Sequence, residues 1–288
     1  MKTFLDCIPC FTRQALEAAR MVSDDENLHE EVLRRVLGMA AGMDMERTPP
    51  EMALEIHRLI RSLSGSADPY AEVKLRFNRM VLGMVDDLRA RIDAAPDPFD
   101  TAVRLALAGN IIDFGTPGGV DPDKVLETVH ASLTLPIHGT SPAGLQRAAT
   151  AARSILYVGD NAGEIVFDRL LIERLGPERV TFVVRSGPII NDVTIEDARA
   201  TGLADLVEVI DTGSDAPGAL LARAGPAFRR ALTTCDLVIA KGQGNYETLS
   251  DLDRPVFFLL RAKCPVIARH IGVPEGTMVV EGRNLPVS

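Results

Sequence analysis

The sequence has few cysteines, no dense run of basic residues and no long apolar stretch, and each absence narrows what the chain can be. Four cysteines in 288 residues do not make the disulfide framework of a small secreted protein. Thirty-one Lys and Arg against forty Asp and Glu leave a net charge of −9. No basic cluster is available to track a phosphate backbone, so nucleic acid is not an expected partner. No apolar run approaches the ~20 residues that a bilayer span needs, which removes the membrane as an expected partner. The opening stretch MKTFLDCIPC carries Asp6 where a secretion signal would continue its apolar region, and the expected location is the cytoplasm. The five histidines, at 29, 57, 130, 138 and 270, lack the H-x-x-x-H spacing of a helical metal pair. Cys7-x-x-Cys10 has no second closely spaced Cys or His pair to complete a zinc site. That pair reads as buried, reduced and packed near the sheet described next.

What is present is an ordinary globular balance, 46% hydrophobic and 25% charged, arranged in two styles. Before residue 150 apolar residues recur at helical spacing, as in Leu16, Ala19, Val22 and in Phe77, Met80, Val81, Met84. Breaks at RTPPE, SGSADP, AAPDPFD and FGTPGGVDP divide this half into helices. After Arg153 come short β-branched runs separated by helix-length segments: SILYVG, VTFVV, LVEVI, DLVIA, PVFFLL and TMVV. Alternating strand and helix implies a mainly parallel sheet with helices on both faces. The expected architecture is therefore α/β: a Rossmann-like sheet domain over 151–288 and an N-terminal all-helical domain over 1–150.

Parallel strands end on one edge, where ligands bind, so the residues following each strand can be read as one surface. They are Asp160, Asn161 and Glu164 after the first strand, Arg185 to Asp192 after the second and Asp211 after the third. Lys241 to Glu247, with Asn245, follow the fourth, and Arg261 and Lys263 the fifth. A dinucleotide fold would place G-x-G-x-x-G after its first strand to seat pyrophosphate on bare backbone. Here the turn is Gly159-Asp160-Asn161-Ala162-Gly163, and its carboxylate repels phosphate unless a divalent cation intervenes. Asp and Asn oxygens suit a hard ion such as Mg²⁺ or Mn²⁺, with Co²⁺ or Ni²⁺ as further candidates, and Asp192 offers a second carboxylate. Lys241 and Lys263 are then candidates to hold phosphate oxygens. Each of these residues also has an ordinary reading, as a helix cap or as solvated surface. Their convergence on consecutive strand ends favours a site.

The segments GDNAGE, GPIIND, KGQGNYE, GNIIDFG at 109–115 and the N-terminal DCIPC resemble, in matching order from about residue 4 to about residue 280, the metal-dependent damage-control phosphatases. The cysteine pair is typical of the archaeal and bacterial branch of that family. The resemblance implies a helical domain packed on a Rossmann-like sheet, a divalent ion, and hydrolysis of small phosphomonoesters. Asp160, Asn161 and Asp192 match the family's metal ligands. Lys263 falls near its phosphate-contacting lysine, although Cys264 and Pro265 replace what normally follows. Asn110 and Asp113 match its Gly-Asn-x-x-Asp motif, whose plain alternative is a helix C-terminal turn. The expected site thus takes Asp160, Asn110, Asp113 and Lys241 as catalytic, and Lys241, Lys263, Asn245, Glu164 and Arg185 around the phosphate. The expected partner is a small phosphorylated metabolite, and no pattern sets the oligomeric state. An S-adenosylmethionine-dependent carboxyl methyltransferase and a non-catalytic metal or phosphometabolite binder are the rival readings. The first lacks a glycine-rich turn after the first strand and an acidic end to the second. The second would differ from an enzyme in turnover alone.

Overall fold

The structure is a computed structural model that describes residues 1–111 and 122–286. Among these, seven helices precede the first strand: α1 (Cys7–Val22), α2 (Glu26–Ala41), α3 (Pro49–Ser64), α4 (Ala71–Leu82), α5 (Val85–Asp93), α6 (Pro98–Ile111) and α7 (Pro122–Ser132). Their starts follow local chemistry. The Asp25 side chain accepts the Asn27 N–H at the head of α2. Thr48 and Glu51 form a reciprocal capping box at α3, with Pro49 and Pro50 in its first turn. α6 differs from the others, because Leu105 to Asn110 are all buried. A helix enclosed on every side must lie inside the protein, and α6 packs along α9 (Glu164–Leu175) and over β6 (Val256–Arg261).

The remaining strands are β1 (Ile137–Gly139), β2 (Ile155–Val158), β3 (Val180–Val184), β4 (Glu208–Asp211), β5 (Leu237–Lys241) and β7 (Met278–Arg283). Between them run α8 (Pro142–Ala151), α10 (Ile195–Ala200), α11 (Pro226–Thr234), α12 (Gly242–Leu249) and α13 (Pro265–Ile271). One seven-stranded sheet has the order β1-β7-β6-β5-β2-β3-β4. Every neighbouring pair is parallel apart from β6 and β7. Alternation sorts the side chains: Ile155, Tyr157, Leu237 and Ile239 face a core shared with α6 and α9, whereas Leu156, Val158, Val238 and Ala240 face Phe228, Tyr246 and Leu249. The mainly parallel sheet with helices on both faces is thus as the sequence implies. Among the described residues no helix is long and apolar enough to cross a membrane.

Two features differ from the sequence reading. β1 adds an edge strand at 137–139, too short and too exposed to leave a period-two signature. Phe77, Val81, Leu105, Val129 and Leu145 share one core with Tyr157, Phe182 and Ile239, so position 150 marks no break in packing. α1 to α3 gather a smaller cluster around Phe11, Val36 and Ile60.

Candidate active site

The strand order reverses at β2, which lies between β5 and β3, and the carboxyl ends of β2 and β5 open there into a crevice. The loops after β2 and β3 are joined at this point. Ala162 N–H donates to Asn191 O at 2.8 Å and Val193 N–H to Asp160 O at 2.9 Å, an antiparallel bridge that sets Asn161 opposite Asp192. Three oxygen-bearing side chains, Asp160, Asn161 and Asp192, are therefore placed together by backbone. They are not helix caps. α9 has Gly163 at its N-cap with no side-chain cap, and α10 is capped by Thr194 with Asp197. Gly242, at the start of α12, has φ +75° and lies so close that any Cβ would overlap the Asp160 carboxylate. Only glycine fits there.

Helices from the first half complete the site. A Cβ on Gly109 would come within 2.9 Å of Phe167 and 3.1 Å of the Glu164 side chain, so this glycine lets α6 settle onto the start of α9. Asn110 lies in the last turn of α6. Its Nδ2 donates to Asp160 Oδ2 and to Glu164 Oε2, both at 3.1 Å, while its Oδ1 accepts the Arg261 N–H at 3.0 Å. Asn161 Nδ2 donates to Asp160 Oδ2 at 2.8 Å and to Glu164 Oε2 at 3.2 Å. From α4, Asn78 accepts the Gly163 N–H at 2.7 Å and donates to Asp197 at 2.8 Å. Asp113 lies outside the described residues.

Four of the expected phosphate-binding groups are enclosed instead, which corrects the sequence reading. The Lys241 ammonium meets Glu164 Oε1 at 2.5 Å, Asp168 Oδ1 at 2.6 Å and Ala106 O at 2.9 Å, so its three donors are spent in the interior. Glu164 is the inner carboxylate of that group and receives the two asparagine amides. Arg185 is buried, with Nε on Asp192 Oδ2 at 2.7 Å, Nη2 on Asn245 Oδ1 at 3.3 Å, and an ion-pair distance of 3.9 Å to Asp160 Oδ1. Asn245 donates to Gly159 O at 3.0 Å and Lys241 O at 2.7 Å, which fixes the ends of β2 and β5. These residues hold the site from below. None of the four lines the cleft above it.

That cleft, of about 740 Å³, is lined by Asp160, Asn161 and Asp192, by Lys263, by Gln243 and Glu247 of α12, and by Cys7, Cys10 and Arg13 of α1. Its described far wall comes from α1 and the start of α3, and residues 112–121 lie outside the described residues. Cys7 is buried and Cys10 half-buried, both free, and burial raises both thiols above their ordinary range. Burial, then Glu164 and Asp192, push the Asp160 carboxyl well above its usual value, against the pull of Arg185 and Lys263. Asp192 is likewise raised by burial, although Arg185 opposes it. Among the described residues no three His, Cys, Asp or Glu side chains form a ready-made metal cage. Two carboxylates and an amide, completed by water and ligand oxygens, are the donor set of Mg²⁺-type sites, which seldom use all-protein cages.

Residues 3–279 match the model of the damage-control phosphatase ARMT1-like domain. The chain belongs to that family. It is 34% identical over 288 residues to a damage-control phosphatase of Pyrococcus horikoshii, covering 97% of each chain. It is 35% identical over 287 residues to a damage-control phosphatase of Archaeoglobus fulgidus, covering 96% of this chain and 97% of the relative. The crystal structure of a DUF89 family protein from P. horikoshii superposes with a TM-score of 0.89 at 33% identity, over 98% of this chain and 99% of that one.

In this member of the ARMT1-like family, sequence reasoning missed Asp168, Asn78, Gln243 and Glu247. Asp168 left a signal. In EIVFDRLL two carboxylates stand four apart on a helix face continued by Leu171, Ile172 and Leu175, a spacing that calls for a buried cation. Asn78 left none, being one polar residue on a helix surface until the fold brings Gly163 to it.

Proposed function

We propose that the chain is a metal-dependent phosphatase acting on small phosphorylated metabolites. The observation that carries the reading is the bridged pair of loops, which places Asp160, Asn161 and Asp192 side by side in the cleft with Lys263. Membership of a damage-control phosphatase family supports it. Crowded carboxylates in a buried corner are unfavourable unless a cation joins them, and that is the environment of Asp160. Asp160, Asn161 and Asp192 would hold a hard divalent ion, Mg²⁺ or Mn²⁺ by donor chemistry, with Co²⁺ or Ni²⁺ tolerated. When bound, such an ion supplies charge neutralisation and orients the phosphate.

The protein groups do the rest. Asn110 and Asn161 amides converge on Asp160 Oδ2 and fix the carboxylate plane. Arg185 donates to Asp192 Oδ2 and the Gly218 backbone also hydrogen-bonds this carboxylate, which fixes its orientation toward the cleft. Lys263 is the lysine lining the cleft, so it neutralises phosphate oxygens as the reaction proceeds, which is the main protein task in phosphoryl transfer. The cleft volume suits a small ester rather than a phosphoprotein.

The test strips the protein with a chelator and assays p-nitrophenyl phosphate, sugar phosphates and nucleotides, with Mg²⁺, Mn²⁺, Co²⁺ and Ni²⁺ restored singly. Activity should vanish on chelation and return with at least one ion. Asp160→Ala should then lower it by about 10²- to 10³-fold with an unchanged circular dichroism spectrum. No hydrolysis under any ion, or full activity in Asp160→Ala, overturns the reading.

A further inference from the structure

The cleft continues beyond its phosphate end, and the polar groups there have no part in the reading above. Gln243 and Glu247 stand one turn apart on α12 and both line the cleft. Gln243 Nε2 donates to Glu247 Oε1 at 3.1 Å and lies 3.4 Å from Cys264 Sγ, and its Oε1 accepts the Lys263 N–H at 3.3 Å. One amide therefore links the backbone of the phosphate-facing lysine to the Glu247 carboxyl. Glu247 is 9% exposed, and among the described residues no Lys or Arg side chain pairs with its carboxyl. Burial raises the group to about 7, opposed by the Gln243 hydrogen bond and by the N-terminal ammonium, which itself donates to the Glu247 carbonyl at 2.8 Å. Cys7, Cys10 and Cys264 line the same cleft, and thiols are weak hydrogen-bond donors.

A buried carboxyl with no directly paired cation is costly compared with an apolar side chain of the same size. Lys241 shows how this fold treats carboxylates that serve structure: Glu164 and Asp168 share its ammonium. Glu247 is given an amide and an opening into the cleft. A ligand that meets it must bring hydrogen-bond donors. The other charges of the cleft sharpen this, since Asp6, Asp160, Asp192, Glu247 and Glu275 are acidic, whereas Arg13 and Lys263 are basic. With a divalent ion and Lys263 committed to phosphate, a second anionic group on the substrate would face carboxylates.

We infer that Glu247, held by Gln243, determines specificity by accepting hydrogen bonds from hydroxyl groups of the substrate body and repelling carboxylated phosphate esters. The inference rests on the phosphatase reading. It makes Glu247 a specificity residue with no part in the chemical step.

The test compares a matched pair, glycerol phosphate and 3-phosphoglycerate, with p-nitrophenyl phosphate as a body without hydroxyls, at pH 8 with the activating ion. The wild-type protein should prefer glycerol phosphate to 3-phosphoglycerate by about tenfold or more in kcat/KM. Glu247→Gln keeps shape and hydrogen bonding but removes charge, and should narrow that preference about fivefold. Glu247→Leu should lower kcat/KM for glycerol phosphate relative to p-nitrophenyl phosphate about tenfold, mainly through KM. Melting curves report folding, and Glu247→Gln decides alone if Glu247→Leu does not fold. An unchanged preference in Glu247→Gln, or a parallel loss on all three esters in Glu247→Leu, overturns the inference and leaves the phosphatase reading standing. A wild-type protein inert on all three but active on a sugar phosphate or nucleotide overturns the inference alone, and one inert on every ester under every ion overturns both.

Discussion

On the sheet side of Asp160, Glu164 and Asp168 share the Lys241 ammonium at 2.5 and 2.6 Å. On the cleft side, Glu247 meets an amide and Lys263 is exposed. The two regions use the same residue types and meet at the end of β5, where Lys241 closes the strand and α12 begins. They differ in who supplies the partner. Beneath the site each carboxylate has a protein cation, and the groups are locked. Above it, partners are left for a ligand. A lysine at a strand end is thus defined less by its position along the edge than by the face on which its side chain leaves the sheet.

The largest effect should come from breaking the lower region. Lys241→Met leaves Glu164 and Asp168 buried without a cation, and urea denaturation should show a loss of about 3–5 kcal/mol. Activity should fall with it, because Glu164 holds the amides of Asn110 and Asn161. Lys263→Met tests the upper region. Here kcat/KM should drop about 10- to 100-fold, while stability stays within about 0.5 kcal/mol of wild type. A stable Lys241→Met beside an unstable Lys263→Met would invert the comparison.

The smallest expected effect supplies a control from a buried titratable group outside both regions. His57 in α3 is held neutral, its pKa lowered to about 4 by burial and by Arg61. The unfolded chain takes up that proton near pH 6.5, so between about 4 and 6.5 the unfolded state binds more protons than the folded one. Stability therefore declines as pH drops through 6.5. Measured as the difference between wild type and His57→Gln, the decline from pH 7 to 5.5 should be about 1 kcal/mol. An identical pH slope in the two proteins would show that His57 is not held neutral.

Much of this was legible beforehand. β-Branched runs marked six of the seven strands, and the carboxylate in the turn after β2 excluded a bare phosphate cradle. Lys241 was misread because linear order shows which residue ends a strand but not which helix covers its face. Period-two alternation puts Lys241 with Leu237 and Ile239, on the side closed by α6 and α9. Once α9 is known to carry Glu164 and Asp168 there, the lysine has no route to the cleft. Asn78 and β1 were illegible for a different reason. Each acquires its partner, Gly163 N–H or β7, from a distant part of the chain, and neither has a local pattern that announces it.

The enclosure of α6 has a consequence for how the protein is made. Its described buried run reaches Asn110, yet the strand it covers, β6, is complete only at Arg261. At about 5–20 residues per second, the apolar sides of α6 stand uncovered on the nascent chain for roughly 8–30 s. During that interval it is a sticky segment on the ribosome, within reach of holding chaperones and of neighbouring nascent chains. Shortening the gene after codon 150 would make that exposure permanent, so the helical half is not a fragment to express by itself.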